Sequence, residues 1–373
     1  MCSIKKLFIF FTLFVFISGI SAQSKIADCL REELMTSTPQ QLNKLTDQLV
    51  LSLPGKRFYL VGESHTFLAN NDLQLELLRS LHGQGVYNVA CELPHATCFL
   101  YNQFLETGDE QILADLRPAA TYKLLKKVRE FNLSLPKEQQ IRYYGIDYSD
   151  PQHGLRNLYK SLRSIRSYVT SKSLPLDTLI GHYLSKDSIS MSDARLLCPQ
   201  LNESLRSEEE RYRSHFGIFY DDLLLMSSNM LGYKANRDNS IFMGFTLLYR
   251  LLEKRQQTAP KFLAFYGIGH MVDLGGMLEE NDGSPVKGGV VKIGIQYVNC
   301  WGGWTVPSLQ TTGLYKMDKK ELAQLIAYCE AQPWQAALLA GKNCLSAKRG
   351  TSLDAVFIFN RYGDRKMNSW KFD

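Results

Sequence analysis

The chain has 373 residues, 45% of them apolar, and a formal charge of +6 from 43 basic and 37 acidic side chains. A chain of this length can bury a large core, and so mild a basic excess confers no particular affinity for nucleic acid or an anionic lipid surface. No Cys-x-x-Cys pair occurs among its eight cysteines, which sets aside a zinc ribbon and a thioredoxin-like site.

The first residues read as an export signal. Lys5 and Lys6 precede an apolar run from Leu7 to Ile17, and the small residues Ser18, Gly19, Ser21 and Ala22 follow. That order is a secretory signal peptide, and its apolar run is too short for a comfortable membrane span. Cleavage after Ala22 removes two lysines and leaves residues 23–373, 351 in all, with a charge of +4. No later stretch approaches span length, so the mature chain is expected to lack a membrane span and to be exported, periplasmic or secreted. It keeps Cys29, Cys91, Cys98, Cys198, Cys300, Cys329 and Cys344. Export permits disulfides, but their pairing is not readable here, and Cys91 reads as a buried thiol. Asn132-Leu133-Ser134 and Asn202-Glu203-Ser204 match the glycosylation sequon.

Ile26 to Leu34 and Thr38 to Val50 are expected to be helical, the second opened by the capping pattern Thr38-Pro39-Gln40-Gln41. Pro54-Gly55 turns the chain into a buried strand, Arg57 to Val61, which stops at Gly62 and presents Glu63, Ser64 and His65. The stripe Leu73, Leu77, Leu78, Leu81 predicts a helix ending near Gly83. Val86 to Cys91 is the second strand, ending at Glu92-Leu93-Pro94. Helices follow over roughly His95 to Glu106 and Asp109 to Phe131. Ile141 to Ile146 is the third strand, ending at Asp147 before a Ser149-Asp150-Pro151 turn.

From His153 to about Arg255 the pattern is helical throughout. Ser207-Glu208-Glu209-Glu210 reads as a capping box for one long helix towards Gly232, and a further helix carries Arg237, Asp238 and Met243. Strands resume at Phe262 to Tyr266, which ends Gly267-Ile268-Gly269-His270, and at Val290 to Val298. Cys300-Trp301-Gly302-Gly303-Trp304 reads as a rigid aromatic loop, Asp318 to Glu330 as a helix and Ala355 to Phe359 as the final strand. Repeated strand–helix units predict an α/β fold: a central, mostly parallel mixed sheet flanked by helices. The helical block, about 151–256, is expected to be an insertion into a single α/β domain spanning 23–373 and to cover the carboxyl ends of the strands.

Four of these strands end in groups that ionise or hydrogen-bond strongly: Glu63 with His65, Glu92, Asp147 and His270. Carboxyl ends of strands in open parallel sheets line the ligand crevice. His65 is therefore a candidate general base on water, because imidazole titrates near neutral pH, with Glu63 or Glu92 fixing its tautomer. His270 is a candidate general acid or carbonyl polariser. The same histidines and carboxylates are also a donor set for a divalent metal, and the residues alone do not separate the two. Arg237 is a candidate to bind a substrate carboxylate or phosphate or to pair with Glu92, against the plainer reading of a surface ion pair with Asp238. Asp147 is the second candidate for substrate binding. His95, three residues after Glu92, is a weaker candidate to reach the same pocket. Ser64 lacks a Gly-x-Ser-x-Gly elbow, and Val272 interrupts the dinucleotide pattern after Gly267, which argues against a serine nucleophile and nucleotide binding.

At Gly62-Glu63-Ser64-His65, Glu92, Arg237-Asp238 with Met243, and Gly267-Ile268-Gly269-His270 the sequence resembles the superfamily that joins three groups. These are the erythromycin-esterase-like hydrolases, the ChaN-type haem-binding lipoproteins and the TIKI/TraB metalloproteases. The resemblance implies a mixed sheet with a helical insertion and a site at the strand ends. From the esterase branch it implies that His65 activates water, helped by Glu63, Glu92 and His270, to cleave an ester or amide in a small-molecule or peptide substrate. The ChaN branch implies instead a haem or other planar-ligand binder without turnover. The TIKI branch implies a metal-dependent peptidase.

Overall fold

The protein is described by a computed structural model that defines residues 30–31, 34–37, 41–114, 119–147, 151–169, 173–231, 236–255, 259–302, 308–312, 319–341 and 352–363. The signal segment, Cys29, Cys344, the Thr38–Gln40 cap and the Ser149-Asp150 turn lie outside those residues.

Among the described residues nine strands form one sheet: β1 (Leu34–Ser37), β2 (Phe58–Glu63), β3 (Val86–Cys91), β4 (Arg142–Gly145), β5 (Lys261–Gly267), β6 (Val290–Gly302), β7 (Ser308–Thr312), β8 (Ala336–Ala340) and β9 (Ala355–Asn360). Their order is β1-β8-β9-β6-β2-β5-β3-β4, with β7 added to β6. The centre, from β9 to β4, is parallel, while β1, β7 and β8 pair antiparallel. This is the mixed, mostly parallel α/β sheet that the alternating strands and helices predict.

The central strands are near-continuous apolar runs because helices cover both of their faces. On one face Phe58 of β2 meets Phe245 of the Arg237–Lys254 helix at 4.9 Å, and Phe245 meets Phe262 of β5 at 5.0 Å. On the other, the Tyr59 hydroxyl donates to Gln84 Oε1 at 3.0 Å, just past the Leu68–His82 helix. Between β4 and β5 the described residues form the α-helices Pro151–Tyr168, Pro175–Leu184, Met191–Ser207, Glu209–Phe216, Tyr220–Leu231 and Arg237–Lys254. This block grips the sheet through the His95–Thr107 helix. The Ser161 hydroxyl donates to the Ala96 carbonyl at 2.9 Å, and Asn157 Nδ2 donates to Thr97 Oγ1 at 2.8 Å.

Several local readings change. Leu34 opens β1 rather than closing a helix, because β8 supplies backbone partners at that edge. Ala336–Ala340, rich in helix formers, is a strand held between β1 and β9, where tertiary pairing overrides propensity. Cys300, Trp301 and Gly302 are not a loop; they end β6, paired with Ser308 to Gln310. The helix ahead of Pro54 starts at Leu42 with Gln41 as its cap, and Gln41 makes no side-chain capping bond. Ser207 closes a helix instead of capping one, and the long helix beyond it is two, broken at Gly217, whose φ is +55°. The working capping box is Ser190 with Asp193.

The sequon asparagines are structural: Asn132 is 3% exposed and bonds both backbone groups of Ile141, and Asn202 bonds Ser227 and Ser228. Cys91, Cys98, Cys198, Cys300 and Cys329 are free thiols, all buried except the half-buried Cys91. Among the described residues no helix is long and apolar enough to cross a membrane.

Candidate active site at the strand ends

β2 and β5 are adjacent and parallel, with Phe58 opposite Phe262 and Glu63 opposite Gly267, and β3 lies beside β5. That register brings residues 63, 65, 92, 147 and 270 to one end of the sheet. Two glycines allow the approach. A Cβ on Gly62 would stand 2.5 Å from Met271 Cγ, and one on Gly267 would stand 3.2 Å from His65 Nε2 and 3.6 Å from Glu92 Oε2. The two Gly-x-x-His segments therefore serve close packing: the first admits the His270–Glu280 helix, and the second admits the His65 ring.

His65 Nδ1 lies 2.8 Å from Glu63 Oε1. Residues i and i+2 of an extended segment point to the same side, so the single intervening serine is what lets these two side chains meet. His65 Nε2 faces Glu92 Oε2 at 3.7 Å, longer than a hydrogen bond, and the His65 side chain is 47% exposed. The Glu63 bond raises the His65 pKa against the opposing effect of burial. Burial raises that of Glu63 in turn, despite the imidazole beside it.

Glu92 is the hub. Its Oε2 accepts from the Gly267 N–H at 2.7 Å, and its Oε1 pairs with Arg237 Nη2 at 2.5 Å and His270 Nε2 at 3.3 Å. Burial alone would raise its pKa; the His270 and Gly267 bonds and the two imidazoles overcome that and hold it at about 2. The loop that carries Glu92 is anchored as well. The Tyr266 hydroxyl donates to the Cys91 carbonyl at 3.0 Å, and the Asp147 N–H donates to the Leu93 carbonyl at 3.2 Å.

Arg237 and Asp238 arrive from the helical block. Asn236 caps their helix, accepting from the N–H groups of Asp238 and Asn239, and this sets both side chains in the first turn beside the strand ends. Arg237 Nη2 reaches Asp147 Oδ2 at 2.6 Å and Nε reaches it at 3.2 Å. Burial opposes the charge on Arg237, yet Asp147 and Glu92 outweigh it and raise its pKa. Among the described residues its Nη1 takes no partner. Asp238 bonds His270 Nδ1, so both nitrogens of His270 face carboxylates; these outweigh burial and raise its pKa.

Glu63, His65, Glu92, Asp147, Arg237 and His270 thus converge in one cluster, with two changes from the sequence reading. Asp147 is 3% exposed and lies beneath Arg237, so a ligand meets it only through the guanidinium. Arg237 takes the pairing with Glu92 that the sequence also offered, and the change is that Asp147 shares the same guanidinium. His95 does not join the cluster. It is buried, with Nε2 2.9 Å from Asp222 Oδ1 and its N–H donating to Asn229, so it fastens the strand-end loop to the helical block. Asp238, which the sequence pattern presents as a surface partner of Arg237, is a further functional candidate through its bond to His270. Its signal was the asparagine cap that brings it into the helix's first turn.

The donor set fits neither a metal nor haem well. Among the described residues no three His, Cys, Asp or Glu side chains are arranged to hold an ion. The Arg237 guanidinium on Glu92 would also repel a divalent cation there. The groups around His65 Nε2 are Gly267 and Glu92, with Arg237 on the far side of Glu92, a polar set rather than the apolar walls a porphyrin needs.

Neither a family model nor any curated protein matches the sequence. Solved structures do. A Bacillus cereus protein superposes with a TM-score of 0.59 at 14% identity, over 91% of this chain and 97% of its own. A succinoglycan biosynthesis protein does so at 0.53 and 14%, over the same shares. A histidine-to-asparagine variant of the erythromycin esterase EreC, in its open conformation, matches at 0.57 and 12%, over 88% of this chain and 98% of that one. The chain has an erythromycin-esterase-like fold. At these identities the erythromycin-esterase likeness extends to the fold alone.

Proposed function

We propose that the protein is an exported hydrolase that cleaves an ester or amide bond with water activated by His65. One observation carries this reading: His65 is half exposed, with Nδ1 fixed on Glu63 Oε1 at 2.8 Å and Nε2 left 3.7 Å from Glu92, beyond a hydrogen bond. With Nδ1 as the donor, Nε2 holds the lone pair that takes a proton from water. Glu63 stabilises the imidazolium that forms, as a hydrogen-bonded carboxylate does for a catalytic histidine. The hydroxide adds to the carbonyl carbon, the Nη1 edge of Arg237 meets the oxyanion, and Nε2–H returns the proton to the leaving oxygen or nitrogen.

Glu92 stays ionised and spaces His65 from the cations opposite. His270, held between Asp238 and Glu92, serves as a fixed positive charge that keeps Glu92 in place; its two engaged nitrogens make it a poor proton shuttle. The structural likeness to an erythromycin esterase supports an ester before an amide. Export rests on residues 1–22.

The test is hydrolysis of a panel of esters by the purified chain and by His65→Ala, with circular dichroism to check folding. Turnover is expected in the parent and lost in the folded variant. Turnover that survives the substitution ends the proposal.

A further inference from the structure

Ser64 separates Glu63 from His65, and its carbonyl accepts from Asn70 Nδ2 at 2.9 Å, while the Tyr297 hydroxyl donates to Asn70 Oδ1. Asn70 lies in the first turn of the Leu68–His82 helix and Tyr297 lies on β6, so the chain Tyr297–Asn70–Ser64 ties two separate elements to this residue. Both side chains are buried, at 6% and 0% exposed. The Tyr297 ring stacks on Phe67 with centroids 4.0 Å apart and planes at 17°. Beyond His65 the chain takes a left-handed turn at Thr66, with φ +81°, which a β-branched residue adopts only where its surroundings enforce it.

We infer that Asn70 and Tyr297 are positioning residues that clamp Ser64 and so fix the direction in which His65 points. This rests on the hydrolase reading and deepens it. Neither residue touches the reacting atoms. Their effect runs through the backbone: with the Ser64 carbonyl held by Asn70, and Asn70 held by Tyr297, Glu63 and His65 are kept on one side of the chain. A chain of hydrogen bonds among buried side chains is rigid, because opening either of them leaves a buried polar group unpaired. A general base displaced by about 1 Å loses about 10²-fold in rate, so the direction of the ring matters as much as its basicity.

The experiment compares the full chain with Tyr297→Phe, Asn70→Ala and Asn70→Asp, by nuclear magnetic resonance titration of the His65 ring and by ester hydrolysis. The ring is assigned by its absence in His65→Ala. In the parent the His65 midpoint is expected above the ordinary 6.5, because of its Glu63 bond. In folded Tyr297→Phe and Asn70→Ala it moves down towards 6.5, and kcat falls about 10- to 100-fold with KM within about threefold. Asn70→Asp, which accepts from Tyr297 but cannot donate to Ser64, follows Asn70→Ala. Should Asn70→Ala not fold, Tyr297→Phe, which keeps the ring on Phe67, decides. A His65 titration unchanged from the parent in the folded variants overturns the clamp. A parent that hydrolyses nothing while the titration still moves leaves the clamp standing and removes the hydrolase reading.

Discussion

Replacing Glu92 by glutamine isolates the charge at the centre of the cluster while keeping its shape. In the folded protein this carboxyl titrates at about 2 against an ordinary 4.5, and its side chain is 11% exposed. At about 1.36 kcal/mol per pH unit of displacement, that gap corresponds to about 3 kcal/mol of stability at neutral pH. The folded pKa lies below the unfolded one, so this stability is present above about 4.5 and is lost as the pH falls through about 2. Over that acid range both His65 and His270 remain cationic in either protein, and carboxyls elsewhere cancel in the comparison. Arg237 keeps Asp147 in the variant, which makes about 3 kcal/mol an upper figure. Urea denaturation of parent and Glu92→Gln at neutral pH, near pH 4 and near pH 2.5 reads the difference directly. It is expected to be largest at neutral pH and to shrink steadily on acidification. A difference that is the same at all three, or below about 1 kcal/mol at neutral pH, refutes the role of Glu92 as an ionised hub.

Three further outcomes follow from the same geometry. Ester hydrolysis should rise with pH through a midpoint above 6.5, since the base works neutral and its pKa is raised; in Glu63→Gln the midpoint should fall towards 6.5, measured as kcat/KM against pH. His270 has a raised folded pKa, so its contribution to stability is complete below about 6.5 and fades as the pH rises through the folded value. Denaturation curves of parent and His270→Ala should therefore converge as the solution becomes alkaline. In Gly267→Ala the new methyl meets His65 Nε2 at 3.2 Å, and the half-exposed ring is free to swing away; kcat should drop about 10-fold or more while stability changes by less than about 1 kcal/mol.

The parallel centre of the sheet was legible because β2, β3, β5 and β9 are short apolar runs with clear stops, and runs of that kind belong to strands buried on both faces. The polar groups at those stops were legible for the same reason: a charged residue directly after a buried strand has nowhere to sit but the sheet's end. The edges were not legible. Leu34–Ser37 becomes a strand by pairing with Ala336–Ala340, which β9 holds on its other side, and the first pairing joins residues about 300 positions apart that no local pattern records. Partner choice within the site was equally hidden. Asp238 stood in view beside Arg237, but only the fold turns it onto His270, and the Asn70–Tyr297 contact joins residues 227 positions apart.

The Arg237–Asp147 contact also closes a ring in the chain. The two residues are 90 positions apart, and between them runs most of the helical block, leaving the sheet at β4 and returning at the capped helix. The entropy of closing a flexible loop grows only logarithmically, so doubling such an excursion costs about 0.6 kcal/mol. The ion pair therefore sets where the excursion begins and ends, and it hardly constrains how long it is. Enclosure and chemistry are then separable parts of this architecture: the helices over the strand ends can be lengthened, shortened or exchanged, and the histidines beneath them keep their places as long as one guanidinium still lands between Glu92 and Asp147.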